Sequence, residues 1–147
     1  MDTKKLLMGT IAGGIAYFFL GWIIYGMLLM DTMAAYSNPA AMRAETDMIW
    51  WALIVGNLGY ACLLTYVFLK WGNIASFGSG AQAGAVLSFL MSFSIDLMMY
   101  ATSTLMADPM GIVVDVVAAT VMGGIVGGII GVVLGMGAKS SGGTPTT

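Results

Sequence analysis

Histidine is absent from the 147 residues, and cysteine occurs once, at Cys62. Without an imidazole, no His-ligated zinc, haem or copper centre and no histidine-based catalytic triad can be built, and a lone thiol cannot close an internal disulfide. Charge is nearly as scarce. Lys and Arg number five and Asp and Glu seven, together 8% of the chain, against roughly a quarter in a soluble domain. The net charge of -2 is spread thinly and offers no basic face for nucleic acid. What is abundant is hydrocarbon: 59% of the residues are hydrophobic and the mean hydropathy is +0.93. These proportions point to an integral membrane protein whose partner is the lipid bilayer, and they imply no cofactor.

Crossing about 30 Å of hydrocarbon takes about 20 mainly apolar residues. Four stretches qualify: Leu6 to Met30, Met48 to Leu69, Ala81 to Leu105, and Met110 to Ala138. The expected fold is all-α, a single antiparallel bundle of four transmembrane helices over residues 1–139 with a disordered tail, 140–147. The first stretch follows Lys4 and Lys5 but is far longer than the apolar core of a signal peptide, about 7–15 residues, so it should persist as the first helix. Lys4, Lys5, Lys70 and Lys139 fall on one side of a four-span arrangement and Arg43 alone on the other. By the positive-inside rule both termini are then cytoplasmic. Trp50, Trp51 and Trp71 sit where indole rings settle at the two interfaces.

The connections carry their own signals. Ser37 to Glu45 has a cap residue, Pro39 at a first helical position and alanines behind it, which predicts a short helix at the outer surface. Gly72 to Gly80 is rich in glycine and serine and predicts a loop. Met106 to Pro109 predicts a tight outer turn, with Asp108 capping the fourth helix and Pro109 opening it.

Asp96 and Asp115 are the only charges inside the spans. Near a helix centre an Asp opposes insertion by about 2.5–3.5 kcal/mol, enough to cancel most of the gain from the apolar residues around Asp96. Counted from the outer turn at about 1.5 Å per residue, Asp96 is placed roughly 15 Å deep, level with Asn57, and Asp115 roughly 9 Å. At 100° per residue Ser88, Ser92, Asp96, Tyr100 and Ser103 share a face that must look inward. On the first helix Thr10, Gly14, Tyr17, Gly21 and Tyr25 do the same. The resulting expectation is an outer-half polar cluster of Asp96, Asp115, Asn57, Tyr25 and Tyr100. No intramembrane Lys or Arg is present to pair with the acids, so a low dielectric favours protonated or proton-sharing forms. Such a pair is either a proton or cation site, or neutral hydrogen-bonding glue between helices worth about 1 kcal/mol per residue.

In the fourth span Gly124, Gly127, Gly128, Gly131 and Gly135 recur at helix-packing spacing, which lets two backbones approach closely. Their partner is expected to be either the glycine stripe of the first helix or the same helix in another subunit, as in a homo-oligomer or membrane complex. They do not form a phosphate cradle, since they lie within a span and no Lys follows in Walker spacing. Methionine occurs 14 times, and Met27, Met30, Met33, Met42, Met48, Met98, Met99, Met106 and Met110 cluster toward the outer side. Thioethers bind soft ions such as Cu(I) and equally fill irregular apolar gaps, which leaves any metal unassigned. Met106 and Met110 beside a glycine-rich helix resemble copper-uptake channels, although that family has three spans and this chain four.

Ile95-Asp96-Leu97, Ala101-Thr102, Pro109 and Val114-Asp115-Val116 resemble the second half of small bacterial four-helix membrane proteins known only as domains of unknown function. Gly21-Trp22-Ile-Ile-Tyr25-Gly26 is similar to the first helix of one such group. The likeness covers about half the chain, and it departs from the pattern after Asp115, where Val-Ala-Ala follows in place of an aromatic and a glycine. It implies a fold and a membrane location, and no activity. No nucleophile–base set is visible, so an enzyme is the least favoured class. Two readings stand: a transport-type or accessory protein with a proton or cation site at Asp96 and Asp115, and a structural or assembly subunit packing through its fourth helix.

Overall fold

The computed structural model describes residues 2–139, and the expected disordered tail lies outside the described residues. In chain order the helices are α1 (Thr3–Ile23), α2 (Met30–Tyr36), α3 (Trp50–Val67), α4 (Phe77–Thr102) and α5 (Pro109–Lys139). All but the short α2 belong to four segments that are long and apolar enough to cross a membrane. α1 and α3 are each prolonged by one wide turn, Ile24–Leu28 and Phe68–Gly72, in which the hydrogen-bond ladder widens to i→i+5.

The starts of α1, α4 and α5 are set by short polar side chains that accept otherwise orphaned backbone amides. Asp2 Oδ1 accepts from the amides of Lys4 and Lys5 at 3.0 and 3.3 Å, and Ser76 Oγ from Ser79 at 3.3 Å. Asp108 Oδ1 accepts from Met110 at 2.8 Å, with Pro109 in the first helical position, as its sequence predicts. Asp108→Ala should therefore lower stability by about 1 kcal/mol, seen as an earlier midpoint in denaturant unfolding from detergent micelles. At the far end of the α3 extension Asn73 takes the left-handed conformation, φ 44°, and closes the helix.

Two expectations need correcting. The surface helix is not built from Ser37 to Glu45 but lies upstream, over Met30–Tyr36, while Pro39–Ala41 and Glu45–Asp47 form only single 3-10 turns. Asn38 does cap, accepting from the Ala40 amide at 3.1 Å. However, the backbone before it pairs with the α4–α5 connection, Asn38 N–H to Leu105 O at 2.9 Å and Ala107 N–H to Tyr36 O at 2.8 Å, which holds this stretch extended. The loop between α3 and α4 is also shorter than Gly72 to Gly80, because Ser76 caps α4 early and helix begins at Phe77.

Packing follows the order α3–α1–α5–α4, with α3 and α4 scarcely touching. The tightest seam joins α4 to α5. Gly80 and Gly84 on α4 interlock with Gly123, Gly127 and Gly131 on α5, so that a Cβ built on Gly84 would stand 2.9 Å from the Gly127 Cα. Gly135 lies against the backbone of Ala75, Gly128 beneath the Phe77 ring, and Gly124 in ordinary contact with Ala85. The glycine face therefore packs against the third span, neither against the first helix nor held free for another copy. The reason is a second small-residue ladder, Gly80-xxx-Gly84-xxx-Ser88, on the adjoining arm of the hairpin. The glycines of the first helix serve α3 and α5 instead, Gly9 facing Thr65, Gly13 facing Ala61 and Ile130, and Gly14 facing Leu58.

Seven buried residues, Tyr17, Ala61, Leu64, Phe68, Val126, Ile130 and Leu134, form one core cluster, and Ile112, Val116 and Ala118 are buried separately near the start of α5. Six of the seven lie toward the end where α1 begins with Lys4 and Lys5 and α3 runs out past Lys70, and Tyr17 marks the upper limit of the cluster. Toward the opposite end the packing of α3 loosens: residues 50–56 are all exposed, and nothing lies within 4 Å of a Cβ built on Gly56 or Gly59.

Candidate functional site

Where the packing loosens, side chains from four helices line a half-open cavity of about 270 Å³. α1 contributes Tyr17, α3 Asn57 and Tyr60, α4 Ser88, Ser92 and Asp96, and α5 Asp115, with Met91, Ile95, Ala119 and Met122 as its apolar wall. Asp96 lies six residues before the end of α4 and Asp115 six residues after the start of α5. At about 1.5 Å per residue each is some 9 Å from the shared turn. The two acids are thus level, where the expected depths were unequal, because α4 ends at Thr102 and not at Leu105. Asn57, seven residues into α3, faces them at nearly the same height.

The inner end of the cavity is a hydroxyl knot. Tyr60 Oη donates to Ser88 Oγ at 3.0 Å, and Tyr17 Oη lies 3.4 Å from the same oxygen. The two tyrosine rings meet edge to face, 5.1 Å between centroids and 71° between planes, a favoured aromatic geometry. This knot bridges α1, α3 and α4 across the one side of the bundle where backbone contacts are missing. Ser88 also lies over Gly123, so the α4–α5 seam fixes its position.

Asp96 is only 6% exposed, and its Oδ2 has no hydrogen-bond partner among the described residues. Asp115 lines the same space and stands close enough to act on it electrostatically. A buried carboxylate oxygen without a donor forgoes more than a typical hydrogen bond contributes, about 1–3 kcal/mol. That loss has to be met by a proton, a water or a cation. A proton shared between the two carboxyls would serve either as part of a proton site or as a bond between α4 and α5. No group of three His, Cys, Asp or Glu side chains converges among the described residues, so the carboxylate pair falls short of the ligand set of a protein-held divalent ion.

Of the five residues expected at the site, Asp96, Asp115 and Asn57 line the cavity. Tyr25 is adjacent: it lies in the wide turn that ends the first span, and its hydroxyl donates to the Asp115 carbonyl at 3.5 Å. Tyr100 is a correction. It is 42% exposed and does not line the cavity, because each i+4 step overshoots a full turn by about 40° and the stripe has rotated about 120° between Ser88 and Tyr100. Tyr17 and Ser88, both on the stripes expected to face inward, join the site as well, and Tyr60 is the residue that the expected pattern does not mark. The spacing that locates Tyr60 is simple, since it follows Asn57 by three residues and shares its helix face.

The outer methionines do not gather at the site. Met27, Met30, Met42, Met98 and Met110 are exposed, and the Met106 sulfur packs over Gly111 beside Tyr36. Met91 and Met122, which the outer clustering did not single out, supply apolar wall. No family model, curated protein or solved structure matches the chain.

Proposed function

We propose that this is a small multi-pass protein of a bacterial inner membrane, of transport type or accessory to transport, in which Asp96 and Asp115 form a proton or cation site. The observation that carries the reading is the buried, unpartnered Asp96 oxygen facing a cavity that a second carboxylate shares. A charge placed in a span is a functional feature by default, since insertion alone selects against it. The hydrophobic core seals the end bearing Lys4, Lys5 and Lys70, while the acids lie nearer the other end. With the lysines cytoplasmic, both termini face the cytoplasm and the site communicates with the outside. The likeness to bacterial four-helix membrane proteins of unknown function fits this placement.

In liposomes, Asp96→Asn should leave the fold intact and abolish a pH-dependent cation or proton flux. An unchanged flux in the variant would remove Asp96 from the transport path. An assembly subunit packing through its glycine-rich fourth helix is the other reading. The α5 glycines are already engaged by α4, which leaves that reading without its expected surface.

A further inference from the structure

We infer that the cavity binds a small organic ammonium ion, a protonated amine on a short hydrocarbon or aromatic body, reached sideways between α3 and α4. The inference rests on the cation-site reading and narrows it. Its first support is the inventory of donors and acceptors. Tyr60 Oη donates to Ser88, Ser92 Oγ to the Phe89 carbonyl at 3.3 Å, and Tyr25 Oη to the Asp115 carbonyl. Tyr17, Tyr60 and Ser88 share two hydrogen bonds among three hydroxyls, so one proton of the knot and the Asn57 amide are the uncommitted donors in the lining. Free acceptors remain: Asp96 Oδ2, the Asp115 carboxylate, the Asn57 carbonyl and the lone pairs of Ser92. Acceptors outnumber donors around the two acids, which suits a ligand that brings N–H donors and positive charge.

Size and wall chemistry supply the second support. At about 30 Å³ per water, the cavity of about 270 Å³ has room for roughly nine. A dehydrated alkali-metal ion would leave most of that space empty and would have to be met by oxygens from both sides at once. An ammonium group set between the acids instead lets its carbon body reach the Met91, Ile95 and Met122 side chains and the Tyr17–Tyr60 pair. Aromatic rings of this kind also favour cations near their faces. The third support is the route. α3 and α4 scarcely touch, and residues 50–56 are exposed throughout, so in a bilayer the gap beside Asp96 faces the acyl chains. An amine partitioned into the membrane reaches the acids without crossing the packed core.

Binding of the protonated amine beside the carboxylates displaces the proton held there, so one proton leaves for each ammonium ion bound and charge balances. The test uses the full chain in nanodiscs, titrated in weak buffer with n-butylammonium, benzylammonium and sodium chloride, recording heat and released protons. The expected result is saturable binding of both amines with proton release, weakened by about a hundredfold in Asp96→Asn and by about tenfold or more in Ala119→Phe, which fills the cavity and leaves both acids in place. Size-exclusion profiles identify variants that fail to fold, and Ala119→Leu is then used in place of Ala119→Phe. Asp96-dependent proton release with sodium but with neither amine overturns the organic-ammonium inference and leaves the cation site standing. Amine binding that Ala119→Phe does not weaken places the ligand elsewhere and overturns it as well. Absence of any Asp96-dependent signal overturns both readings.

Discussion

Replacing Gly127 by leucine should prevent the chain from reaching a stable folded state. A Cβ at this position meets the Gly80 carbonyl and stands 2.8 Å from the Gly84 Cα, so the obstruction is backbone on the facing helix and not the end of a flexible side chain. Overpacking a well-fitted core costs about 1–3 kcal/mol and occasionally more. Here two straight backbones would have to separate along the whole seam, which places the effect at about 3 kcal/mol or above. Gly84→Leu should behave alike, because it opposes the same α5 turn. Gly56→Leu is the matched control: nothing lies within 4 Å of that position, and the change should fall within about 0.5 kcal/mol. The measurement is reversible unfolding in mixed micelles, together with the yield of monodisperse protein. Equal stability of the Gly127 and Gly56 variants would show that the α4–α5 contact does not hold the bundle together.

The second large effect runs in the opposite direction. Asp96→Leu should make α4 insert more readily, by about 3 kcal/mol in a translocon-dependent insertion assay, since the scale assigns about 2.5–3.5 kcal/mol against Asp and about 0.3–0.6 kcal/mol in favour of Leu. In the assembled bundle the gain is smaller, and its sign separates a strained functional acid from one that bonds α4 to α5. If Asp96 were glue, its removal would lower stability by about 1 kcal/mol. A variant that is more stable and inactive is the signature of a residue retained for function at the expense of stability.

Which parts of this arrangement were legible in the sequence follows from what each signal measures. The spans and the Asp108-Pro109 start of α5 depend on composition and local capping, and both are readable from a few adjacent residues. Asp96 and Asp115 stood out because charge is rare here and a carboxyl within a span has few innocuous explanations. The partner of the α5 glycines is hidden in the sequence because Gly80 ends a glycine- and serine-rich stretch of loop composition, which masks its four-residue relation to Gly84 and Ser88. Tyr100 was placed inward by extending an i+4 stripe over three turns, where the drift of about 40° per step had already carried it to the surface. The surface helix was misplaced because Asn38 carries a genuine capping signal, whereas the pairing of Asn38 with Leu105 is a contact between distant segments that no local pattern encodes. The Tyr17–Ser88–Tyr60 knot is of the same kind, joining three helices through a single serine hydroxyl.

The α4–α5 seam and the cavity are linked. The glycines bring the two helices together near the lysine end and set Ser88 over Gly123. From there the hydroxyl knot ties α1 and α3 to α4 while their backbones stay apart. Tight packing in one half of the protein thus leaves room in the other half for a polar space. The two acids stand level in it because the hairpin turn places each six residues from its helix end.

Infrared difference spectroscopy of the carboxyl stretch, in bilayers titrated from acid to alkaline pH, tests the site most directly. A protonated-carboxyl band that disappears and returns reversibly, and is missing in Asp96→Asn, is the predicted result. A band that persists unchanged across the titration, or that is identical in the Asp96→Asn protein, would contradict an exchangeable site at Asp96.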